Sequence, residues 1–285
     1  MSKFFYKDKP IIGLDISFTS LKLMSIDTKK WNVLGYASLD VDPNELQKSI
    51  SGDGSYLTSK LKELQKSISG HLMSNHVVLS IPTSKTYTRS IELPHDIKGV
   101  LKDAVELEAE QYIPVPLSQL YIDYEVTGKT EKNISVMMCA VPQKLVDTCL
   151  ASATEAGFRV VMVEPGMNAA ARLLKATESG DLPTVIVDIG AATTDVAILD
   201  GAIKVTGGVP VGGNTFTLDI STKLNVPLET AHQLKVLNGL NIGPRQAKIR
   251  AALDPNLKRI SSEIKKIIRY YNERLTDDKK IEQVL

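Results

Sequence analysis

Cysteine is scarce in this chain of 285 residues: only Cys139 and Cys149 occur, neither in a C-x-x-C pair nor near histidines at metal-ligand spacing. A disulfide-stapled miniprotein and a cysteine-based zinc site are thereby excluded, and reduced thiols are the expectation. An excess of charge of one sign is also missing. Lys+Arg 34 against Asp+Glu 33 leaves a formal net charge of +1, so no global field draws the chain onto nucleic acid or an anionic bilayer. Long apolar runs are lacking too: residues 185–199 form the most apolar stretch, and Asp188 and Asp195 interrupt it. Nothing reaches the ~18 to 20 apolar residues that span a bilayer, so direct membrane insertion is not expected. Residues 1–9 carry Phe4, Phe5 and Tyr6 between charges, without the continuous apolar core or small-residue cleavage site of a secretion signal. What is present, 43% hydrophobic and 24% charged residues, lies far from the disordered regime. The length suggests about two domains.

Residues 11–14 and 21–26 read as short strands around Asp15-Ile16-Ser17-Phe18-Thr19-Ser20, and an Asp27-Thr28-Lys29-Lys30 turn leads to a third strand near 31–39. The same order returns later. Residues 184–187 and 196–199 flank Asp188-Ile189-Gly190-Ala191-Ala192-Thr193-Thr194-Asp195, and Asp200-Gly201, a hairpin signal, turns the chain into 202–206. The segments superpose without a gap at an offset of 173 residues, placing Asp15 on Asp188, Ser17 on Gly190, Ser20 on Thr193 and Asp27 on Asp200. An internal duplication this widely spaced implies two related α/β lobes facing a cleft, since a solenoid repeats every ~20 to 50 residues.

Between the repeats, Ile97, Val100, Leu101, Ala104 and Leu107 make one helical stripe, which Ile113-Pro114-Val115-Pro116 stops. Residues 77–81, 86–93, 120–126 and 134–141 read as strands and 144–156 as a helix ending at Gly157, together a small inserted α+β unit. A strand at 159–163 and helices at 166–177, 214–224, 228–237 and 255–275 follow.

Tight turns of small and hydroxyl residues between strands expose backbone N–H groups that, with Ser or Thr hydroxyls, cradle phosphate oxygens. Asp15 and Asp188, at matching strand ends, suit Mg²⁺ held through water, which pairs one or two carboxylates with phosphates. The plainer alternative for both is a strand-end turn cap. His71, His76, His95 and His232 are scattered without a paired nucleophile, and the basic residues of 245–269 interleave with acids and apolar side chains, the pattern of a solvated helix face.

Residues 13–22 resemble the first phosphate motif of the actin-like ATPase superfamily, and residues 188–195 resemble the second. Glu164-Pro165-Gly166-Met167-Asn168 is similar to the connecting helix that opens with an acid near the terminal phosphate, while Pro210-Val211-Gly212-Gly213-Asn214 and the 229–235 helix resemble the segments near ribose and adenine. The resemblance implies ATP and Mg²⁺ as ligands, with Asp15 and Asp188 on the metal and Glu164 orienting the attacking water. It implies nucleotide contacts from Ser17, Phe18, Thr19, Ser20, Lys22, Gly190, Ala191, Ala192, Thr193, Thr194, Gly212, Gly213, His232 and Lys235. Other readings stay open: Glu164 as a helix N-terminal acid, Gly212 and Gly213 as a helix start, and Lys235 as a solvated lysine.

Residues 107–116, followed by Tyr121-Ile122-Asp123-Tyr124, closely resemble the PilM-type platform proteins of type IV pilus assembly, as does Phe4-Phe5 ahead of 10–15. That family implies an FtsA-related, duplicated actin-like (ribonuclease H-like) α/β fold. Its first lobe would be 1–76 plus 158–182, an SHS2-type insert would be 77–157, and the second lobe 183–285. It further implies a cytoplasmic ATP-binding scaffold of twitching-motility machinery, peripheral at the inner membrane. A PilN-type protein's N-terminal peptide would lie in a groove between first lobe and insert. Other platform or motor components and self-association complete the implied partners, with no nucleic acid. Weak or absent ATPase activity is the expectation.

Three departures stand against the pattern. Ser17 replaces the glycine of D-I-G, and Phe18 adds bulk beside the phosphate path. Residues 281–285 resemble the start of the strand leading to the family's glycine-rich adenosine motif, so a truncated second lobe without that motif, and impaired ATP binding, are expected. An FtsA-type amphipathic membrane helix is not seen. Two alternatives are an FtsA-like cell-division or filament protein, which would polymerise with concentration, and a small-molecule kinase, for which residues 107–116 have no role.

Overall fold

The computed structural model describes residues 11–178, 182–241, 243, 246–274 and 280–285; Phe4, Phe5 and Tyr6 lie outside the described residues. The chain divides into two compact units. One comprises the described parts of 1–86 with 105–123 and 140–172, the other 87–104, 124–139 and the described parts of 173–285.

Along the chain, β1 (Ile12–Ile16), β2 (Ser20–Asp27) and β3 (Asn32–Asp40) form an antiparallel meander, followed by α1 (Pro43–Ser51), α2 (Ser55–Lys66), the short β4 (Ser69–Gly70) and β5 (His76–Ile81). Next come β6 (Tyr87–Pro94), α3 (Leu101–Tyr112), β7 (Leu120–Lys129), β8 (Asn133–Pro142), α4 (Gln143–Glu155), β9 (Arg159–Pro165) and α5 (Gly166–Thr177). A second meander of β10 (Thr184–Ile189), β11 (Thr194–Asp200) and β12 (Ala202–Val209) leads to α6 (Gly213–Leu224), α7 (Leu228–Asn238), α8 (Gln246–Arg274) and β13 (Gln283–Val284).

The first unit is built on a six-stranded sheet ordered β4-β3-β2-β1-β5-β9, in which β1, β5 and β9 run parallel. Strand alternation sends Leu14, Ile16, Leu21 and Leu23 to one buried face, and Leu46, Leu57, Leu61 and Leu64 of α1 and α2 are equally buried. These two helices were not anticipated, although Asp42-Pro43-Asn44-Glu45 carries a start signal: the Asp42 carboxylate accepts from the Asn44 and Glu45 N–H groups, and Pro43 opens the first turn.

The insert expected at 77–157 is redrawn. Residues 77–81 belong to β5, which pairs parallel with β1 and β9 in the first unit's own sheet. Helix α4 packs on α1 and α2, where Ser152 Oγ donates to the Gly54 carbonyl at 3.2 Å. Strand β6 joins the other sheet, pairing with β12 at Val205 and Arg89. Parallel pairing is non-local, so a mostly apolar pentapeptide cannot announce which sheet it completes.

The second sheet is ordered β13-β10-β11-β12-β6-β8-β7. Against it, Val185, Val196 and Ile198 pack with Ile267 and the fully buried Tyr271 of α8, whose hydroxyl reaches Asp200 at 3.0 Å. A further cluster joins Ile220, Ala231, Ile249, Ala252 and Leu253 from α6, α7 and α8. Helix α8 begins at Gln246, nine residues before the expected start at Pro255, which sits inside it. Proline removes one backbone donor and disfavours a helix interior; here buried Ile249, Ala252 and Leu253 before it and Ile260 and Ile267 after it anchor both halves.

The internal repeat holds at the level of hydrogen-bond register. Gly13↔Met24, Leu14↔Leu23, Asp15↔Lys22 and Ile16↔Leu21 in the first hairpin match Ile186↔Ala197, Val187↔Val196, Asp188↔Asp195 and Ile189↔Thr194 in the second, each at the same offset. Even the turn closure repeats, with Ser17 N–H to Ser20 O at 3.0 Å and Gly190 N–H to Thr193 O at 2.9 Å.

Candidate functional site

In the first unit the register sets Ser38, Lys22, Asp15, Ser80 and Glu164 in one row across one sheet face, at the carboxyl ends of parallel β1, β5 and β9. Ligands of open α/β sheets bind outside those ends. Ser80 Oγ donates to Asp15 Oδ1 at 2.7 Å. Gly166 opens α5 against this row, and a Cβ there would stand 3.2 Å from Ser80 Oγ. Glu164 is only 7% exposed, and both of its carboxylate oxygens accept from the two terminal nitrogens of Arg172, two turns along α5.

The first turn satisfies itself only at its two ends, Ser17 and Ser20. Ser17 Oγ donates to Ser20 O at 2.9 Å, pairs with Ser20 Oγ at 3.0 Å and accepts from the Ser20 N–H at 3.2 Å. Among the described residues, the N–H groups of Phe18 and Thr19 have no acceptor in the chain. Over the Phe18 ring lies the Lys85 ammonium, 5.6 Å from the centroid, so the bulky side chain also carries a cation beside the turn. Lys22 is exposed on the row beside Asp15.

The second unit presents the matching turn differently. The carbonyls of Gly190 and Ala191 accept from the Gly213 and Asn214 N–H groups at 2.9 and 2.8 Å, docking the turn on the start of α6. That docking leaves the N–H groups of Ala191, Ala192 and Thr193 without an acceptor among the described residues. Three successive open amides form a nest suited to an anion. Gly212 makes the docking possible, since a Cβ there would lie 2.5 Å from Gly190 O and 2.7 Å from Ala191 backbone atoms. Lys235 of α7 donates to Gly213 O at 2.8 Å and Thr217 Oγ1 at 2.9 Å, and burial lowers its ammonium below the usual lysine value. His232 is exposed on the same helix.

Asp188 is exposed at the end of β10, opposite Asp195. Burial, and then the Asp188 charge, push the Asp195 carboxyl up to about 6, and its Oδ1 is buried without a hydrogen-bond partner among the described residues. An open amide nest with an exposed carboxylate at its edge fits a phosphate whose magnesium is bound through water. No group of three or more His, Cys, Asp or Glu residues gathers among the described residues.

Of the expected nucleotide contacts, the structure brings Gly190, Ala191, Ala192, Thr193, Gly212, Gly213 and Lys235 together, and separately Ser17, Phe18, Thr19, Ser20 and Lys22, beside the expected metal ligand Asp15 and the expected catalytic Glu164. Thr194 is a correction: it is 0% exposed, and its hydroxyl donates to Val211 O at 2.8 Å, so it supports the Gly212 segment from behind instead of facing a ligand. Sequence reasoning missed Ser80, Lys85 and Arg172. Ser80 is found only through strand register, whereas Lys85 and Arg172 stand within one and two turns of recognised elements.

A family model described as type IV pilus assembly protein PilM matches residues 13–285. The cell division protein FtsA of Neisseria meningitidis serogroup B is 29% identical over 157 residues, covering 53% of this chain and 36% of that protein. FtsA of Pseudomonas aeruginosa is 29% identical over 157 residues, covering 50% and 37%. The matched region thus spans little more than a third of these curated relatives. Among solved structures, a PilM-PilN type IV pilus biogenesis complex superposes with a TM-score of 0.77 at 24% identity, covering 94% of this chain and 79% of that chain. MreB 5 of Spiroplasma citri bound to AMPPNP gives a TM-score of 0.52 at 18% identity, covering 96% and 81%. These likenesses establish the actin-like two-lobe α/β fold. Among the described residues, no helix is long and apolar enough to cross a membrane.

Proposed function

The chain belongs to the type IV pilus assembly protein PilM family, and from that membership we propose that it is a nucleotide-binding scaffold of the pilus assembly platform, holding the N-terminal cytoplasmic peptide of a PilN-type inner-membrane protein. The family match across 13–285 carries this reading, and the likeness to a PilM-PilN complex supports it. On this reading the protein stands at the cytoplasmic side of the inner membrane through that partner. ATP with Mg²⁺ is the proposed ligand: the open amides of 191–193 take phosphate oxygens, Asp188 holds the hydrated metal, and Gly212, Gly213, His232 and Lys235 flank the nucleoside. The nucleotide serves as a ligand that stabilises a conformation, which requires only differential affinity between conformations.

Calorimetric titration tests both parts. A synthetic PilN N-terminal peptide is expected to bind saturably at one site per chain, and Mg-ATP to bind separately; absence of peptide binding would remove the scaffold reading. The FtsA relatives favour a second reading, a filament-forming cell-division protein. Concentration-dependent sedimentation of polymer with Mg-ATP, and no peptide binding, would establish it instead.

A further inference from the structure

The parallel strands β1, β5 and β9 of the first sheet all begin at one end, where β2 also leaves and β3 enters. The segments that gather there are residues 11–12, 27–33, 71–76 and 157–159. Backbone bonds fix them to the sheet and to one another: the His71 N–H donates to Leu34 O at 3.0 Å and the Arg159 N–H to Asn75 O at 2.8 Å. Four large apolar side chains stand out from this end, Ile11 at 54%, Trp31 at 57%, Val33 at 54% and Met73 at 47% exposure. Lys29, Lys30 and Arg159 are exposed at the same end. Asp27 is the only acid in these segments, and its Oδ1 accepts from the Lys29 and Lys30 N–H groups, so the turn's own backbone takes up its charge. Trp31 has a left-handed backbone, with φ 54°, which bulky residues rarely adopt. The strain secures no burial within the chain, since the indole stays more than half exposed.

We propose that this end of the first sheet docks on an anionic lipid bilayer, with the Trp31 indole seated among the headgroups and Lys29, Lys30 and Arg159 on their phosphates. An indole joins an apolar body to a polar N–H, which suits the boundary between headgroups and acyl chains. Lysine stems lie along apolar surface while their ammonium groups stay in water. Apolar side chains set among cations make a surface that lies on a charged bilayer without spanning it. The sequence leading into Ile11 continues the same mixture, with Lys3, Phe4, Phe5, Tyr6, Lys7 and Lys9 against the single acid Asp8. An acidic protein surface would call for the cations alone, whereas aromatics interleaved with lysines match the headgroup layer. The net charge of +1 supplies no global attraction, so the contact rests on this local cluster. This inference goes beyond the platform reading and does not depend on it: the lipid contact is a second, reversible attachment beside the partner's peptide.

The test uses the full chain and vesicles of phosphatidylcholine, alone or mixed equally with phosphatidylglycerol. Binding is read by co-sedimentation and by the emission of Trp31, the one tryptophan in the chain. Wild type is expected to sediment with the mixed vesicles only, with Trp31 emission shifted to the blue and shielded from acrylamide. Each cation close to an anionic surface is worth about fivefold in affinity, so K29E/K30E is expected to bind about 25-fold more weakly or worse, and R159E about fivefold. R159E carries the test if K29E/K30E melts below the assay temperature. W31S is expected to weaken sedimentation while W31F retains it. Absence of sedimentation with the mixed vesicles, equal sedimentation of wild type and both charge variants, or sedimentation with unshifted Trp31 emission would each overturn the proposal. Titration of K29E/K30E with the PilN N-terminal peptide is expected to match wild type, which separates failure of the lipid contact from failure of the platform reading. Loss of peptide binding in that variant would overturn the proposal by making this end the peptide's seat.

Discussion

The two turns of the internal repeat share a backbone and a closing hydrogen bond, and they differ at one amide, which the first turn closes and the second leaves open. At Ser17 a hydroxyl folds back onto Ser20 and consumes its N–H, whereas Gly190 has no side chain to do so and the Thr193 N–H is left without an acceptor among the described residues. One strand position further the contrast continues: Lys22 faces Asp15 where Asp195 faces Asp188. The first unit has paired its own groups, Ser17 with Ser20, Asp15 with Ser80 and Glu164 with Arg172. Among the described residues its turn leaves two amides open, those of Phe18 and Thr19, whereas the second unit leaves three amides and a buried carboxylate oxygen without partners. Duplication of a fold thus conserves geometry while side-chain hydrogen bonds decide which copy remains available for an anion.

The sharpest way to break this contrast is G212A. A Cβ 2.5 Å from Gly190 O forces the second turn off α6, with an expected loss of about 1–3 kcal/mol in urea unfolding from overpacking and of tenfold or more in Mg-ATP affinity. An unchanged affinity would show that the docked turn is not the phosphate cradle. Next in size is the carboxylate pair. The Asp195 carboxyl titrates near 6, above its ordinary 3.8, so the folded state holds the proton more tightly than the unfolded chain. Stability therefore falls as pH rises from about 4 to about 6 and is lowest above that window. D195N, assayed in EDTA, is expected to lose this slope and to gain about 1–2 kcal/mol at pH 8. K22N at the matching site of the first unit should leave the slope unchanged. The smallest change is S17G, which frees the Ser20 N–H and makes the first turn resemble the second. Losing the hydroxyl's bonds to Ser20 is expected to cost about 1 kcal/mol in urea unfolding and to speed hydrogen exchange at the Ser20 amide. Unchanged exchange would mean that the Ser17 hydroxyl does not hold that N–H.

Much of this was legible because it is local. The repeat, its offset and both turns follow from strand alternation and small-residue spacing, and the hairpin registers agree with them pair by pair. What was not legible depends on contacts distant in sequence. Residues 77–81 look the same whether they complete the first sheet or an insert, and only pairing with β1 and β9 decides. Pro255 suggested a helix start because its own chemistry favours one, but buried residues on both sides carry α8 through it. Thr194 sits in a phosphate-like motif with its hydroxyl turned to Val211, an alternation that assigns it to the inner face. The Glu164–Arg172 fork spans a strand-to-helix junction, where neither helical nor strand periodicity predicts a contact.

Backbone amide NMR of the ¹⁵N-labelled chain on addition of Mg-ATP tests the asymmetry most directly. Large shifts at Ala191, Ala192 and Thr193 with small ones at Ser17 and Ser20 are the expected result. Equal shifts at both turns, or larger ones at Ser17 and Ser20, would contradict it.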